Sequence, residues 1–130
     1  MVSYLFDSDR VIALLKGVPA AIELFSALGP ASVSISVITY AEVSEGLDVT
    51  SGSRQATGWW DFLAFAEVLP VDRSVADTFA SLRKALRSTG NLIPDLDLLI
   101  GATALEHDLM LVTGNLRHFE RIPDLRVYRG

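Results

Sequence analysis

Three carboxylates far apart along a sequence of 130 residues, Asp7, Glu42 and Asp97, are the side chains best suited to do chemistry. Asp7 ends a short apolar run. Glu42 lies about a turn and a half into a helix that leaves a strand, and Asp97 lies in the first turn of a helix that leads into one. Gathered at one rim, such groups repel one another, so the cluster is stable only with a bound cation or with some members protonated. Hard oxygen ligands with few histidines select Mg²⁺ or Mn²⁺. A site of this kind suits phosphodiester hydrolysis, in which a divalent ion makes a protein nucleophile unnecessary. Each acid also has a plainer explanation. Asp7 can cap the helix that follows it, Glu42 can be an exposed helix residue, and Asp95 or Asp97 can serve as a cap or a favourable charge at a helix start. The joint pattern, not any single acid, carries the reading.

The surrounding elements must bring these positions together. Val2–Phe6 reads as a buried strand. A short helix around Val11, Ile12, Leu14 and Leu15 closes at Gly17, and Pro19 opens a second helix that ends at Gly29-Pro30. Ser32–Val37 alternates Ser with Val and Ile as a second strand, and Ser36 can cap the helix running through Glu42 to Gly46. Gly52 and Ser53 precede a helix bearing Trp59, Trp60, Phe62, Leu63 and Phe65. Glu67–Val71 is a short third strand, which Pro70 places at an edge. Val75, Phe79, Leu82 and Leu86 define a helix ended by Gly90, and Pro94 precedes another from Asp95 to His107. Leu109–Val112 is a fourth strand, and Leu125–Tyr128 is a candidate fifth. Strands separated by helices imply right-handed crossovers and a mostly parallel sheet of four or five strands. The expected fold is a three-layer α/β/α sandwich, one domain spanning residues 1–130. In such a sheet ligands bind beyond the carboxyl ends of the strands, where Asp7 and Thr113 fall.

Composition removes other classes. Half of the residues are hydrophobic and the net charge is −5, which excludes intrinsic disorder and argues against a domain that blankets duplex DNA with cations. Without cysteine there is no disulfide scaffold, zinc–thiolate site or thiol nucleophile. No apolar run is long enough to span a bilayer, and Asp7, Asp9 and Arg10 interrupt the first run too early for a signal peptide. A cytoplasmic protein without membrane contact is the expectation. Residues 91–112 carry four acids and no cation, whereas residues 73–90 and 113–130 are net basic and can face a polyanion. There is no P-loop and no Gly-x-Ser-x-Gly elbow, and His107 and His118 are too far apart for a paired zinc motif. His118 is expected at the surface or facing phosphate.

Four segments then carry a resemblance. Tyr4-Leu5-Phe6-Asp7-Ser8-Asp9 resembles the opening strand-and-Asp motif of PIN-domain ribonucleases, especially the VapC-type toxins of toxin–antitoxin pairs. Ser36-Val37-Ile38-Thr39-Tyr40-Ala41-Glu42 is similar to their second motif. Ile93-Pro94-Asp95-Leu96-Asp97 and the helix after it resemble the third, and Leu111-Val112-Thr113-Gly114-Asn115-Leu116-Arg117-His118-Phe119 resembles the fourth. Order, spacing and length agree over nearly the whole chain. Two positions depart from the pattern. The first motif usually reads Asp-Thr-Asn where this chain has Asp7-Ser8-Asp9, and the fourth often has an acid where it has Asn115, with Glu120 a possible substitute.

The resemblance implies a PIN-like Mg²⁺-dependent endoribonuclease toxin, with Mn²⁺ able to substitute. Asp7 and Asp97 are its implied metal ligands, and Glu42 completes the acidic site directly or by orienting water. Thr113 and Asn115 position a water or phosphate. It further implies a cognate VapB-type antitoxin, a homodimer, contact with DNA only through the antitoxin, and structured RNA as substrate, tRNA favoured over ribosomal RNA. Two rivals rank below this reading. Asp7-x-Asp9 after an apolar strand mimics the nucleophile motif of haloacid-dehalogenase phosphatases, but that chemistry wants a downstream Lys, and Lys16 and Lys84 do not follow strands. A receiver-like module, or a PIN-like scaffold that only binds partners, is the non-catalytic alternative. A receiver needs a Lys at the end of its last strand, where this chain has Tyr128-Arg129.

Overall fold

Four short parallel strands form one sheet: β1 (Tyr4–Phe6), β2 (Val33–Ser36), β3 (Glu67–Leu69) and β4 (Met110–Val112), in the order β3-β2-β1-β4. The structure is a computed structural model that describes residues 2–48 and 50–130. Met1 and Val49, which the expected domain of residues 1–130 includes, lie outside the described residues. Each strand is close to its expected place, with β3 at the edge as Pro70 requires. The candidate fifth strand is a correction. Leu125–Tyr128 makes only an isolated parallel bridge, Leu111 to Val127, with the Leu111 N–H donating to the Arg126 carbonyl at 2.9 Å and the Tyr128 N–H to the Leu111 carbonyl at 2.8 Å. Asp124, at φ 65°, turns the chain just before this segment and leaves little length to run beside β4.

The helices are α1 (Ser8–Leu15), α2 (Pro19–Leu28), α3 (Val37–Gly46), α4 (Arg54–Phe65), α5 (Arg73–Ser88), α6 (Asp95–Glu106) and α7 (Leu116–Phe119). Side-chain oxygens close several starts. Ser36 accepts the Ile38 N–H at 3.0 Å, Ser53 the Ala56 N–H at 3.1 Å and Asp72 the Val75 N–H at 2.9 Å. Alternation along the strands divides the core into two. Leu5 and Leu111 face Leu86 of α5 and Leu98, Ile100 and Ala104 of α6. Phe6 and Val112 face the opposite way, onto Val11 of α1, Val43 of α3 and Trp59 and Phe62 of α4. Helices therefore cover both faces. Of the aromatic cluster on α4, Trp59 and Phe62 are core, whereas Trp60 and Phe65 are exposed.

The strand order matters most for the site. From β1 the chain winds outward to β2 and β3, then returns through α5 and α6 to place β4 on the other side of β1. The connections diverge between β1 and β4, which opens a crevice beyond their carboxyl ends.

Candidate active site

Asp7 follows β1 and Thr113 follows β4, and the register that pairs Phe6 with Val112 makes these two residues neighbours across the crevice. The Asp7 N–H donates to the Val112 carbonyl at 2.9 Å. The Thr113 hydroxyl donates to Asp7 Oδ2 at 2.7 Å, while Asp7 Oδ1 accepts the Ser8 N–H at 2.8 Å. Asp7 thus caps α1 and occupies the crevice at once, so the plain explanation and the chemical one coincide. It is only 5% exposed. Burial pushes its carboxyl up to about 6, against the hydrogen bonds from Thr113 and Ser8, and the negative charges of Asp9 and Asp97 add to the rise.

Glu42 reaches the same place through one serine. Ser8 Oγ lies 2.5 Å from Glu42 Oε1 and 3.1 Å from Thr39 Oγ1. With one hydrogen to give, Ser8 donates to the carboxylate and accepts from Thr39. Thr39 is fully buried and lies on the same helix as Glu42, so α3 delivers both the acid and the group that anchors its partner.

Asp97 sits in the first turn of α6, as expected, with Pro94 at the cap position. Its neighbour Asp95 is outside the site and pairs with Arg83 at 2.9 Å. His118, partly exposed as expected of a surface residue, has partners the sequence did not show: its Nδ1 lies 2.7 Å from Asp97 Oδ2 and 2.8 Å from Asn115 Nδ2. One ring nitrogen cannot donate to Asp97 and accept from the Asn115 amide at once. If it carries hydrogen it donates to Asp97, and the Asn115 amide then turns its oxygen to the ring. The carrier of both residues is α7, a four-residue helix too short to leave a periodic signal. The Asn115-x-x-His118 spacing, one helical turn, was the available clue. Glu120 is exposed, and among the described residues no hydrogen bond joins its carboxylate to the site.

Asp9, which departs from the usual first motif, helps raise Asp7, and its carboxylate also has structural work. Asp9 Oδ2 accepts the Gly114 N–H at 2.8 Å, tying the turn after β4 to α1, and the Asn115 N–H donates to Thr113 Oγ1 at 2.9 Å. A Cβ at Gly114 would stand 2.7 Å from that Asp9 oxygen. Gly114→Ala should therefore displace Asp9 and lower turnover about tenfold, the size of a lost outer contact, with little change in melting temperature. Cleavage rate and thermal melting measured together check this.

The donor set is oxygen-rich, with one carboxylate whose charged form is destabilised first by burial and then by the charges of its neighbours. Among the described residues, no group of three or more His, Cys, Asp or Glu side chains stands as a ready cage for a metal ion. An oxygen-rich set of this kind fits Mg²⁺, which keeps most of its water and takes one or two carboxylates directly. The residues fit an open site, not a closed one.

The chain was compared with known proteins. The family described as PIN domain matches residues 4–125. Ribonuclease VapC10 of Mycobacterium tuberculosis is 37% identical over 123 residues, covering 94% of this chain and 90% of the relative. The tRNA(fMet)-specific endonuclease VapC of Salmonella typhimurium is 30% identical over 128 residues, covering 98% and 97%. Among solved structures, DNA-bound VapBC from Salmonella typhimurium has a chain that superposes with a TM-score of 0.84 at 29% identity, 98% of each chain being covered.

Proposed function

The chain belongs to the PIN-domain family, and from that membership we propose that it is a VapC-type ribonuclease toxin, a single nuclease domain that hydrolyses structured RNA with Mg²⁺ as cofactor. The observation that carries the chemistry is Asp7: a buried carboxylate at the switch point of the sheet, raised to about 6 and facing other acids. Such a group is poised to receive a cation. We assign Asp7 and Asp97 as the residues that would hold the ion, with Glu42 and Asn115 completing the catalytic set.

When bound, the ion supplies charge for the phosphate oxygens and a more acidic water. The protein's own groups do the rest. Thr113 and the Ser8 N–H fix both Asp7 oxygens. Ser8 holds one Glu42 oxygen, leaving the other to orient the attacking water and accept its proton. His118, itself held by Asn115, fixes the Asp97 carboxylate. The haloacid-dehalogenase alternative fares worse, because Asp9 is committed to the Gly114 N–H.

Transfer RNA is the favoured substrate. The support is the relative whose name specifies tRNA(fMet), together with the net-basic stretches beyond an acidic site. A cognate VapB-type antitoxin is the proposed partner, as in the VapBC complexes that the fold matches. A homodimer would cover apolar surface such as Ile22 of α2 and Phe65 of α4, which are 45% and 46% exposed. No single helix among the described residues is long and apolar enough to cross a membrane; a cytoplasmic location is the proposal.

The test is cleavage of labelled tRNA and of ribosomal RNA fragments by the purified chain. Mg²⁺ or Mn²⁺ should be required and EDTA should abolish activity. Asp97→Ala should stay folded and lose at least about a hundredfold in rate. Wild-type cleavage by that variant would refute the site assignment. Asn115→Asp should lower the Mg²⁺ concentration for half-maximal cleavage several-fold, since a carboxylate at this position competes for His118 and adds charge. No change there, with Glu120→Ala inactive, would move the fourth position to Glu120.

A further inference from the structure

A second pocket, about 390 Å³ in volume, opens beside the acidic crevice and shares a wall with it. Thr113 belongs to both: it lines this pocket, and its hydroxyl donates to Asp7. The pocket's charge is opposite in sign, since Arg10 of α1 and Arg129 line it together with Tyr128. Arg10 Nε is buried and has no hydrogen-bond partner among the described residues. Neither arginine takes part in any ion pair found among those residues. Asp9, the carboxylate beside Arg10 at this turn, has an oxygen engaged by the Gly114 N–H. A Cβ at Gly114 would lie 3.6 Å from the Arg10 guanidinium, ordinary contact distance, so that group stands beside the turn after β4.

A buried guanidinium N–H without an acceptor is costly, and an anion relieves it. We propose that Arg10 and Arg129 form a subsite for the RNA phosphate that neighbours the scissile one. This rests on the ribonuclease reading of the adjacent crevice. One phosphodiester lies against Asp7 and Asp97, and the next in the chain passes over Thr113 into the arginine pocket, where a guanidinium grips it through paired N–H groups. The subsite fixes the register of the strand over the acids. A polyanion fits this alternation of sign. A peptide that brings a cation to the acidic crevice would run away from this pocket, because a flanking segment here would meet two like charges.

The experiment uses Arg10→Gln and Arg129→Gln in the full chain, the second at an exposed position where folding is not at risk. Affinity for a tRNA is measured in EDTA over a range of salt, and KM and kcat are measured with Mg²⁺. Each substitution should weaken RNA binding about tenfold, reduce the salt slope by about one, and raise KM while kcat stays within about twofold. Arg10→Lys, which keeps the charge but not the fork, should recover the salt slope and only part of the affinity. A dinucleotide substrate carrying one additional terminal phosphate should be preferred by the wild type over its unphosphorylated form, and the preference should vanish in Arg10→Gln. If the wild type cleaves RNA and both glutamine variants keep its affinity, salt slope and KM, the subsite is refuted while the nuclease reading stands. If those variants weaken only the complex with a copurifying antitoxin, the pocket is a protein contact and the proposal is overturned. If the wild type cleaves no RNA yet binds it through these arginines, the nuclease reading fails and the phosphate site survives.

Discussion

Asp7→Asn should abolish cleavage and at the same time make the metal-free protein more stable. The activity loss, at least about a hundredfold, follows from removing a charge at the position best placed to hold the ion. The stability gain follows from the raised carboxyl. Burial raises the Asp7 carboxyl from its ordinary 3.8 to about 6 in the fold, so between these values the folded chain binds more protons than the unfolded one. Stability contributed by this group is therefore present below about pH 4 and is lost as pH rises to 6 and beyond. The difference is about 3 kcal/mol at about 1.4 kcal/mol per unit. Asparagine keeps an oxygen for the Ser8 N–H and has no charge to desolvate. At pH 7.5 without metal the variant should melt several degrees above the wild type, and at pH 4 the gain should disappear. Mg²⁺ should raise the wild-type melting temperature and leave that of the variant unchanged. Calorimetry at three pH values, with and without Mg²⁺, checks all of this. A variant less stable than wild type at pH 7.5 would show that the Thr113 and Ser8 hydrogen bonds outweigh the cost of the buried charge.

Growth should stop when the chain is expressed alone and resume when its antitoxin is supplied. An acidic, metal-dependent crevice is most simply silenced by a guanidinium, which pairs with carboxylates in a bidentate fork and competes with the ion. Affinity then has to come from apolar contact nearby. A groove of about 220 Å³ runs between α1 and α3, lined by Ile12, Leu15, Val43 and Leu47, with Gln55 of α4 closing it. Here α1 and α3 together offer an apolar partner surface. The aromatic helix offers less, since Trp59 and Phe62 are in the core. An amphipathic segment of the antitoxin should lie in this groove and send an Arg toward Asp7, Glu42 and Asp97. Leu15→Glu should weaken the complex about a hundredfold or more, as expected for a charge placed in a central apolar contact, and should leave RNA cleavage near the wild-type rate. Growth curves with paired expression, and cleavage assays on the purified complex, decide it. A complex that leaves the acids open and fully active would refute the mechanism of inhibition.

The elements and their chemistry were largely legible along the chain, because both are written locally. Period-two runs such as Ser34-Ile35-Ser36 define strands, and Ser36, Pro19 and Pro94 mark where helices begin. Asp7 at a strand end and Asp97 in a first turn are positions set by a few neighbouring residues. The segments at 7, 42, 97 and 113 also resembled a family, so their meeting at one rim was expected. What stayed hidden depends on contacts between distant segments. Nothing local says that β4 lies beside β1, yet this alone brings Thr113 to Asp7, a hydrogen bond across 106 positions of sequence. The partners of the other acids were unforeseen for the same reason. Ser8 reaches Glu42 and His118 reaches Asp97 only after α3 and α7 have packed against α1 and α6. Side-chain hydrogen bonds of this kind leave no periodicity, and a four-residue helix such as α7 is stable only through its neighbours. Residue types along the chain specify which groups this protein can use; packing selects which of them hold one another in place, because burial and distance, not residue type, set those partnerships.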